Sequence, residues 1–113
     1  MAKLIGPTPQ LILGGSSTAP TLIVRDNLET VALVDVRSTA GAAGVYVQLP
    51  ADALVGDLVE VYWARMTQPD TSPGPPRILA QSGETFQDGS MTSVTGDSSW
   101  LRKCSTSIWA YGA

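Results

Sequence analysis

Carboxylates are the main residues of this 113-residue chain that could take part in catalysis, because it contains no histidine and a single cysteine. Without histidine there is no Ser-His-Asp or Cys-His arrangement, and the commonest metal ligand is missing. The ten candidate acids and bases are Asp26, Glu29, Asp35, Asp52, Asp57, Glu60, Asp70, Glu84, Asp88 and Asp97. Most lie in predicted turns, where aspartate is favoured because it hydrogen-bonds the backbone. We therefore predict that the chain is not an enzyme. A carboxylate pair of the glycosidase type stays open as an alternative, since such pairs form in space rather than in sequence.

The remaining nucleophiles and metal ligands show no known spacing. A Ser–Lys dyad would need Lys3 or Lys103, and neither lies in a nucleophile-elbow pattern. The segment from Asp88 to Asp97 comes closest to a calcium loop but lacks its ligand spacing. Cys104 is the only cysteine, so it forms no intrachain disulfide, and its partly apolar surroundings predict a small core residue. The sequence thus predicts no metal and no cofactor.

Charge is sparse, since 15% of the residues are charged and the net charge is −3. Nucleic-acid binding needs clustered lysine and arginine. Here only Arg102 and Lys103 are adjacent, and on a strand they would point to opposite faces. The first residues, MAKLIGPTPQLILGG, are too few and too interrupted by proline for a signal peptide or a membrane span. We therefore expect no nucleic-acid or membrane partner.

Short alternating segments separated by Gly, Pro, Asp and Ser predict an all-β fold. In residues 58–63, for example, Val59, Val61 and Trp63 share one face. About eight such segments, with turn signals roughly every eight to twelve residues, are typical of a compact antiparallel sandwich or barrel-like roll. The first two are predicted to form a β-hairpin around the turn-forming pair Asp26-Asn27. The predicted strands are residues 21–24, 31–36, 45–49, 58–63, 77–80, 91–94, 100–104 and 108–111.

Two segments rich in proline stand apart from this pattern. Residues 1–20 have one apolar triplet between prolines and glycines and no periodic face, so we predict an extended N-terminal arm docked on another surface. Residues 21–113 are predicted to form a single β domain, with a Pro-rich loop at 66–77 because proline cannot donate to a sheet. The candidate assembly contacts are the arm triplet and the end of that loop, namely Leu11, Ile12, Leu13, Pro73, Pro75 and Pro76.

Seven aromatic residues offer a different kind of site. Exposed tryptophan or tyrosine could stack on sugar rings, whereas buried rings would pack the core and interfaces. Trp63, Trp100 and Trp109 lie on predicted strands whose alternation would bury at least some of them. Packing is therefore the expected role of most of these rings.

Three phrases of the sequence carry a more specific signal. They are LPADALVGDLVEVYWA at 49–64, QSGETFQDGS at 81–90 and SSWLRKCSTSIWAYG at 98–112. These phrases resemble the short β-rich modules of tailed-bacteriophage virion proteins, such as head fibres, capsid decoration proteins and tail-fibre segments. The resemblance covers about residues 45–112 and departs from the modules in the long loop at 69–76 and at Cys104, where a small aliphatic residue is usual.

The resemblance implies a structural protein of the virion, and such proteins are commonly homotrimers on a symmetry axis. Our leading hypothesis is a capsid decoration (cement) or head-fibre protein. It would be made in the host cytoplasm and bind the major capsid protein or other virion subunits through its arm. The alternative is a receptor- or glycan-binding module of a tail fibre or spike. That alternative requires at least one of Trp63, Trp100 and Trp109 to be exposed among polar residues.

Overall fold

A computed structural model describes residues 8–36, 44–63 and 74–113. These ranges contain ten short strands and no α-helix, which confirms the predicted all-β class. No helix in them is long and apolar enough to cross a membrane. The strands are β1 (Gln10–Ile12), β2 (Thr21–Leu22), β3 (Glu29–Val34), β4 (Tyr46–Gln48), β5 (Leu58–Trp63), β6 (Arg77–Leu79), β7 (Thr85–Phe86), β8 (Met91–Ser93), β9 (Ser98–Lys103) and β10 (Ile108–Gly112).

The strands form two sheets, and the chain alternates between them from β1 to β9. Sheet A has the order β1-β3-β5-β9-β10-β7, and sheet B has the order β2-β4-β6-β8. From β1 to β6 each strand pairs in parallel with the strand two positions earlier. A parallel neighbour requires the chain to return to its starting end, and here the return passes through the other sheet. The later strands β8, β9 and β10 pair antiparallel with β6, β5 and β9.

The predicted hairpin at residues 21–36 is therefore wrong, and so is purely antiparallel pairing. β2 lies in sheet B beside β4, while β3 lies in sheet A between β1 and β5. The Asp26 amide donates to Thr30 Oγ1 (2.9 Å), and this turn leads the chain across to the other sheet instead of back along β2. A turn signal marks a change of direction, but it does not determine which strand becomes the neighbour.

A single core lies between the sheets. Val59, Val61 and Trp63 of β5 point inward, as their alternation predicts, and meet side chains of sheet B such as Val47 and Ile78. The predicted bounds of β5 are confirmed residue for residue. The remaining buried apolar residues are Ile12, Ile23, Ala32, Val34, Val36, Val45, Leu49, Ala53, Ala80, Phe86, Val94, Leu101 and Trp109.

Cys104 is exposed, so its prediction as a core residue is wrong. Ser99, Leu101 and Lys103 are the inward residues of β9, and the next position therefore points outward. The inward position nearest to the cysteine is occupied by Lys103. Sequence reasoning does not expect an ammonium group there, and it assigned the neighbouring thiol to the core instead.

The predicted arm contributes a strand to the domain that was predicted to begin at residue 21. β1 is an edge strand of sheet A. Its last residue, Ile12, is the middle residue of the apolar triplet and is only 4% exposed. The side-chain amide of Gln10 attaches this strand to the backbone of Val24, donating to its carbonyl and accepting from its amide (2.9 Å). The Thr8 amide adds a bond to Asp26 Oδ2 (3.1 Å). Residues 8–12 are thus held by the domain itself.

Candidate functional site

The exposed apolar side chains of the N-terminal triplet lie at one edge of sheet A. Leu11 is 63% exposed and Leu13 is 51% exposed, whereas Ile12 between them is buried. Leu11 lies in register beside Leu33 of β3, which is also exposed. We call Leu11, Leu13 and Leu33 the apolar edge. β1 ends the strand order, so its second side faces no strand in the described part of the chain.

A second group of side chains occupies the middle of the same sheet face. Glu60 of β5, Trp100 of β9 and Gly112 of β10 lie side by side in register, and Tyr62 lies two residues along from Glu60. We call these four residues the platform. Trp100 is 37% exposed, while Trp63 and Trp109 are buried in the core. Trp100 therefore meets the condition for the glycan-binding alternative, which requires an exposed tryptophan among polar residues.

Gly112 determines how the Trp100 ring lies. A Cβ atom built on Gly112 would come within 2.8–2.9 Å of the indole atoms Cζ2, Cε2 and Nε1. The ring therefore fills the space in which a side chain at 112 would stand. One side of the indole rests on the backbone of β10, and the exposed fraction belongs to its opposite side and edge.

Polar groups border the ring. The Tyr62 hydroxyl donates to Glu60 Oε2 (3.3 Å). The negative charge of Glu60 raises the pKa of Tyr62 above its ordinary value, and burial and this hydrogen bond act in the same direction. The phenol therefore stays protonated and remains a donor at neutral pH. On the far side of Trp100, Arg102 is exposed and donates from Nη1 to Gly56 O (3.0 Å).

The other predicted contacts lie elsewhere. Pro75 is half-buried and Pro76 is buried, and the carbonyl of Pro76 accepts from the Val94 amide (3.0 Å) within the domain. Pro73 and most of the predicted loop 66–77 lie outside the described residues. Of the six predicted assembly contacts, the structure places Leu11 and Leu13 on the surface and uses Ile12 and Pro76 internally.

Two carboxylates are engaged by the protein itself. The Asp57 carboxylate accepts hydrogen bonds from Nε (2.5 Å) and Nη2 (3.1 Å) of Arg25. Its Oδ2 also accepts a hydrogen bond from the Leu54 amide (2.9 Å). Glu84 accepts from Lys103 Nζ (2.9 Å) and from the indole nitrogen of Trp109 (3.0 Å). These contacts stabilise the fold. They leave Asp57, whose side chain is 2% exposed, unable to reach a substrate.

No family model, no curated protein and no solved structure matches the chain. In residues 8–36, 44–63 and 74–113 there is also no group of three or more Cys, Asp or Glu side chains placed to hold a metal ion. The apolar edge and the platform are two of the surfaces on which the described residues expose apolar or aromatic side chains.

Sequence reasoning missed the platform because its parts are far apart in the chain. Glu60, Trp100 and Gly112 meet only when β5, β9 and β10 pair. One signal was available within β9, since period-2 alternation in SSWLRK places Trp100 and Arg102 on one face and Leu101 and Lys103 on the other. The sequence does not show which face of β9 points to the core, because each face carries one charged residue and the buried face carries Lys103.

The acid stability of the domain should depend on Asp57. Its pKa is lowered first by the hydrogen bond from Arg25, and further by the Leu54 amide and the positive charges of Arg25 and Lys103, although burial opposes them. A depressed carboxyl pKa gives stability that is present above the unfolded-state value, about 3.9, and is lost as pH falls through the folded value. We expect the stability difference between the natural chain and Asp57→Asn to shrink below about pH 4. Urea unfolding at several pH values measures it, and a difference that does not change with pH would contradict the assignment.

Proposed function

We propose that the chain is a non-enzymatic structural protein of a bacteriophage virion, of the capsid decoration or head-fibre type. It contacts the major capsid protein or another virion subunit through its apolar edge. The observation that carries the proposal is the edge position of β1 and of Leu13 directly after it, which places a buried isoleucine between two exposed leucines. The resemblance of residues 49–64, 81–90 and 98–112 to phage virion modules supports the same role.

The chemistry of this edge suits a protein partner. An edge strand offers backbone donors and acceptors that a partner strand or loop satisfies. Burying a leucine side chain contributes about 1.5–3 kcal/mol, so Leu11 and Leu13 add substantial affinity when a neighbouring subunit covers them. A homotrimer around a symmetry axis would cover such an edge in every copy.

The first test locates the chain in particles. Mass spectrometry of purified particles of the phage that encodes it, with and without tails, should find the chain in the tailless fraction. Absence of the chain from complete particles would refute the virion role. Presence only in the tail fraction would refute the capsid assignment and leave a tail role.

The contact surface is tested by point substitutions, because deleting residues 1–15 would also remove β1 and a core residue. We expect the double substitution Leu11→Ser and Leu13→Ser to weaken binding at least about tenfold, since two leucine contacts are lost. The free energy of unfolding should change by no more than about 0.5 kcal/mol, because both side chains are exposed. Binding is measured by co-sedimentation with shells purified from a phage that lacks the gene.

The matched control is the double substitution Leu54→Ser and Val55→Ser. These two exposed residues lie in the turn before β5, near the opposite end of β3 and β5 from Leu11. The control should bind the shells like the natural chain. Equal binding by the Leu11/Leu13 variant would show that the apolar edge is not the contact.

The second candidate function is a glycan-binding module of a fibre or spike. One observation favours it, the exposed Trp100 bordered by Glu60 and Tyr62. This function uses residues different from those of the apolar edge.

A further inference from the structure

We infer that the platform binds one pyranose ring of a neutral saccharide. Trp100 stacks on the carbon–hydrogen face of the sugar, while Glu60 and the indole N–H hydrogen-bond its hydroxyl groups. This assignment rests on the second candidate function and is independent of the capsid contact.

The position of the ring is the first reason. Because Gly112 leaves room for the indole to rest directly on β10, the ring is supported from below along the strand. Any larger residue at 112 would push it off the sheet. A side chain that is already fixed loses little rotamer freedom when a ligand stacks on it. Trp100 is thus a preformed flat surface with its free side toward solvent.

The hydrogen-bonding groups around the ring are the second reason. Glu60 lies directly opposite Trp100 in the antiparallel pair of β5 and β9, so their Cβ atoms are about 5 Å apart. Its carboxylate accepts one bond from Tyr62 and has further lone pairs. The indole N–H of Trp100 donates to no group in the described ranges. A pyranose matches this set, since it presents an apolar ring face surrounded by hydroxyls that both donate and accept.

Charge argues for a neutral sugar. Glu60 stands next to the stacking surface and repels carboxylated or sulfated rings. Arg102 is the nearest cation along β9, and its guanidinium is directed to the Gly56 carbonyl. A nucleobase could stack equally well, but the phosphates attached to it would meet the same carboxylate on a chain of net charge −3.

The experiment begins with the full chain on an array of bacterial surface glycans and continues with titrations. Cellohexaose, chitohexaose and maltohexaose are added up to about 10 mM, well above the dissociation constant of a weak millimolar site. Binding is read by tryptophan fluorescence and by isothermal titration calorimetry. The variants are Trp100→Ala, which removes the stacking ring, and Gly112→Ala, which keeps the ring but displaces it. The control is Met91→Ala, a substitution of an exposed residue in sheet B.

The natural chain should bind at least one neutral glycan. Both platform variants should weaken that binding about tenfold or more while circular dichroism shows them still folded at the titration temperature, and Met91→Ala should bind normally. If Trp100→Ala and Gly112→Ala bind the same glycan as tightly as the natural chain, the platform is not the site, although a glycan-binding function survives. Binding restricted to acidic glycans would overturn the neutral-sugar assignment. Absence of binding to every glycan would overturn both the site and the function.

Discussion

Replacing Asp57 with alanine should lower the free energy of unfolding by about 1.5–3 kcal/mol, the loss typical of removing hydrogen bonds to a charged group. The Asp57 side chain is 2% exposed and accepts hydrogen bonds from two nitrogens of the Arg25 guanidinium, Nε and Nη2. Its removal leaves the guanidinium, which is 20% exposed, without its carboxylate. It also leaves the Leu54 amide without its acceptor in the turn before β5. Urea unfolding followed by circular dichroism measures the loss.

The same loop offers a matched control. Asp52 is exposed, and its substitution by alanine should change stability by no more than about 0.5 kcal/mol. A loss below about 1 kcal/mol for Asp57→Ala would show that solvent replaces the carboxylate around Arg25. A loss near the upper end of the expected range would mean that the turn opens with the ion pair. In that event the Gly56 and Lys103 backbone bonds that join the turn to β9 are lost as well.

Side-chain alternation predicted much of the fold, because it reports burial directly. Val45, Val47 and Leu49 are all buried, and β5 has its predicted bounds. Alternation does not report which strand lies alongside. The parallel pairs of β1, β3 and β5 arise because the chain crosses to sheet B between them, and no local residue pattern encodes that crossing. For this reason eight of the ten strands were predicted, whereas β1, β7 and the pairing of the strands were not.

The N-terminal triplet has the residue pattern of a strand, but its flanking residues led to the prediction of a separate arm. Leu11, Ile12 and Leu13 alternate outward, inward and outward, which is the pattern of an edge strand. The surrounding prolines and glycines favoured a separate arm instead. The deciding interaction is the Gln10 amide on the Val24 backbone, a contact fourteen residues away in sequence that no periodicity reveals. Leu11 and Leu13 are exposed, and their role as assembly contacts stays a prediction.

Lys103→Ala should lower the free energy of unfolding by about 3–5 kcal/mol, because it breaks an ion pair that is buried in the domain. The Lys103 ammonium is buried at the end of β9, where it donates to Glu84 Oε2 (2.9 Å) and to the Ala53 carbonyl (3.1 Å). It also lies 5.9 Å from the ring centre of Trp109. Without the ammonium, the largely buried Glu84 carboxylate loses its cationic partner and is left with the Trp109 indole as a donor.

A double-mutant cycle separates this charge pairing from simple loss of volume. Lys103→Met keeps the aliphatic stem and removes the charge, and Glu84→Gln removes the other charge while its amide oxygen still accepts from Trp109. Each single variant leaves one buried charge unpaired, whereas the double variant leaves none. The double variant should therefore lose at least about 1 kcal/mol less than the sum of the singles. Urea unfolding followed by tryptophan fluorescence measures the cycle, because Trp109 reports on this part of the core. If the two losses simply add, Lys103 and Glu84 are not coupled, and the stability of the end of β9 must come from apolar packing around Leu101 and Trp109.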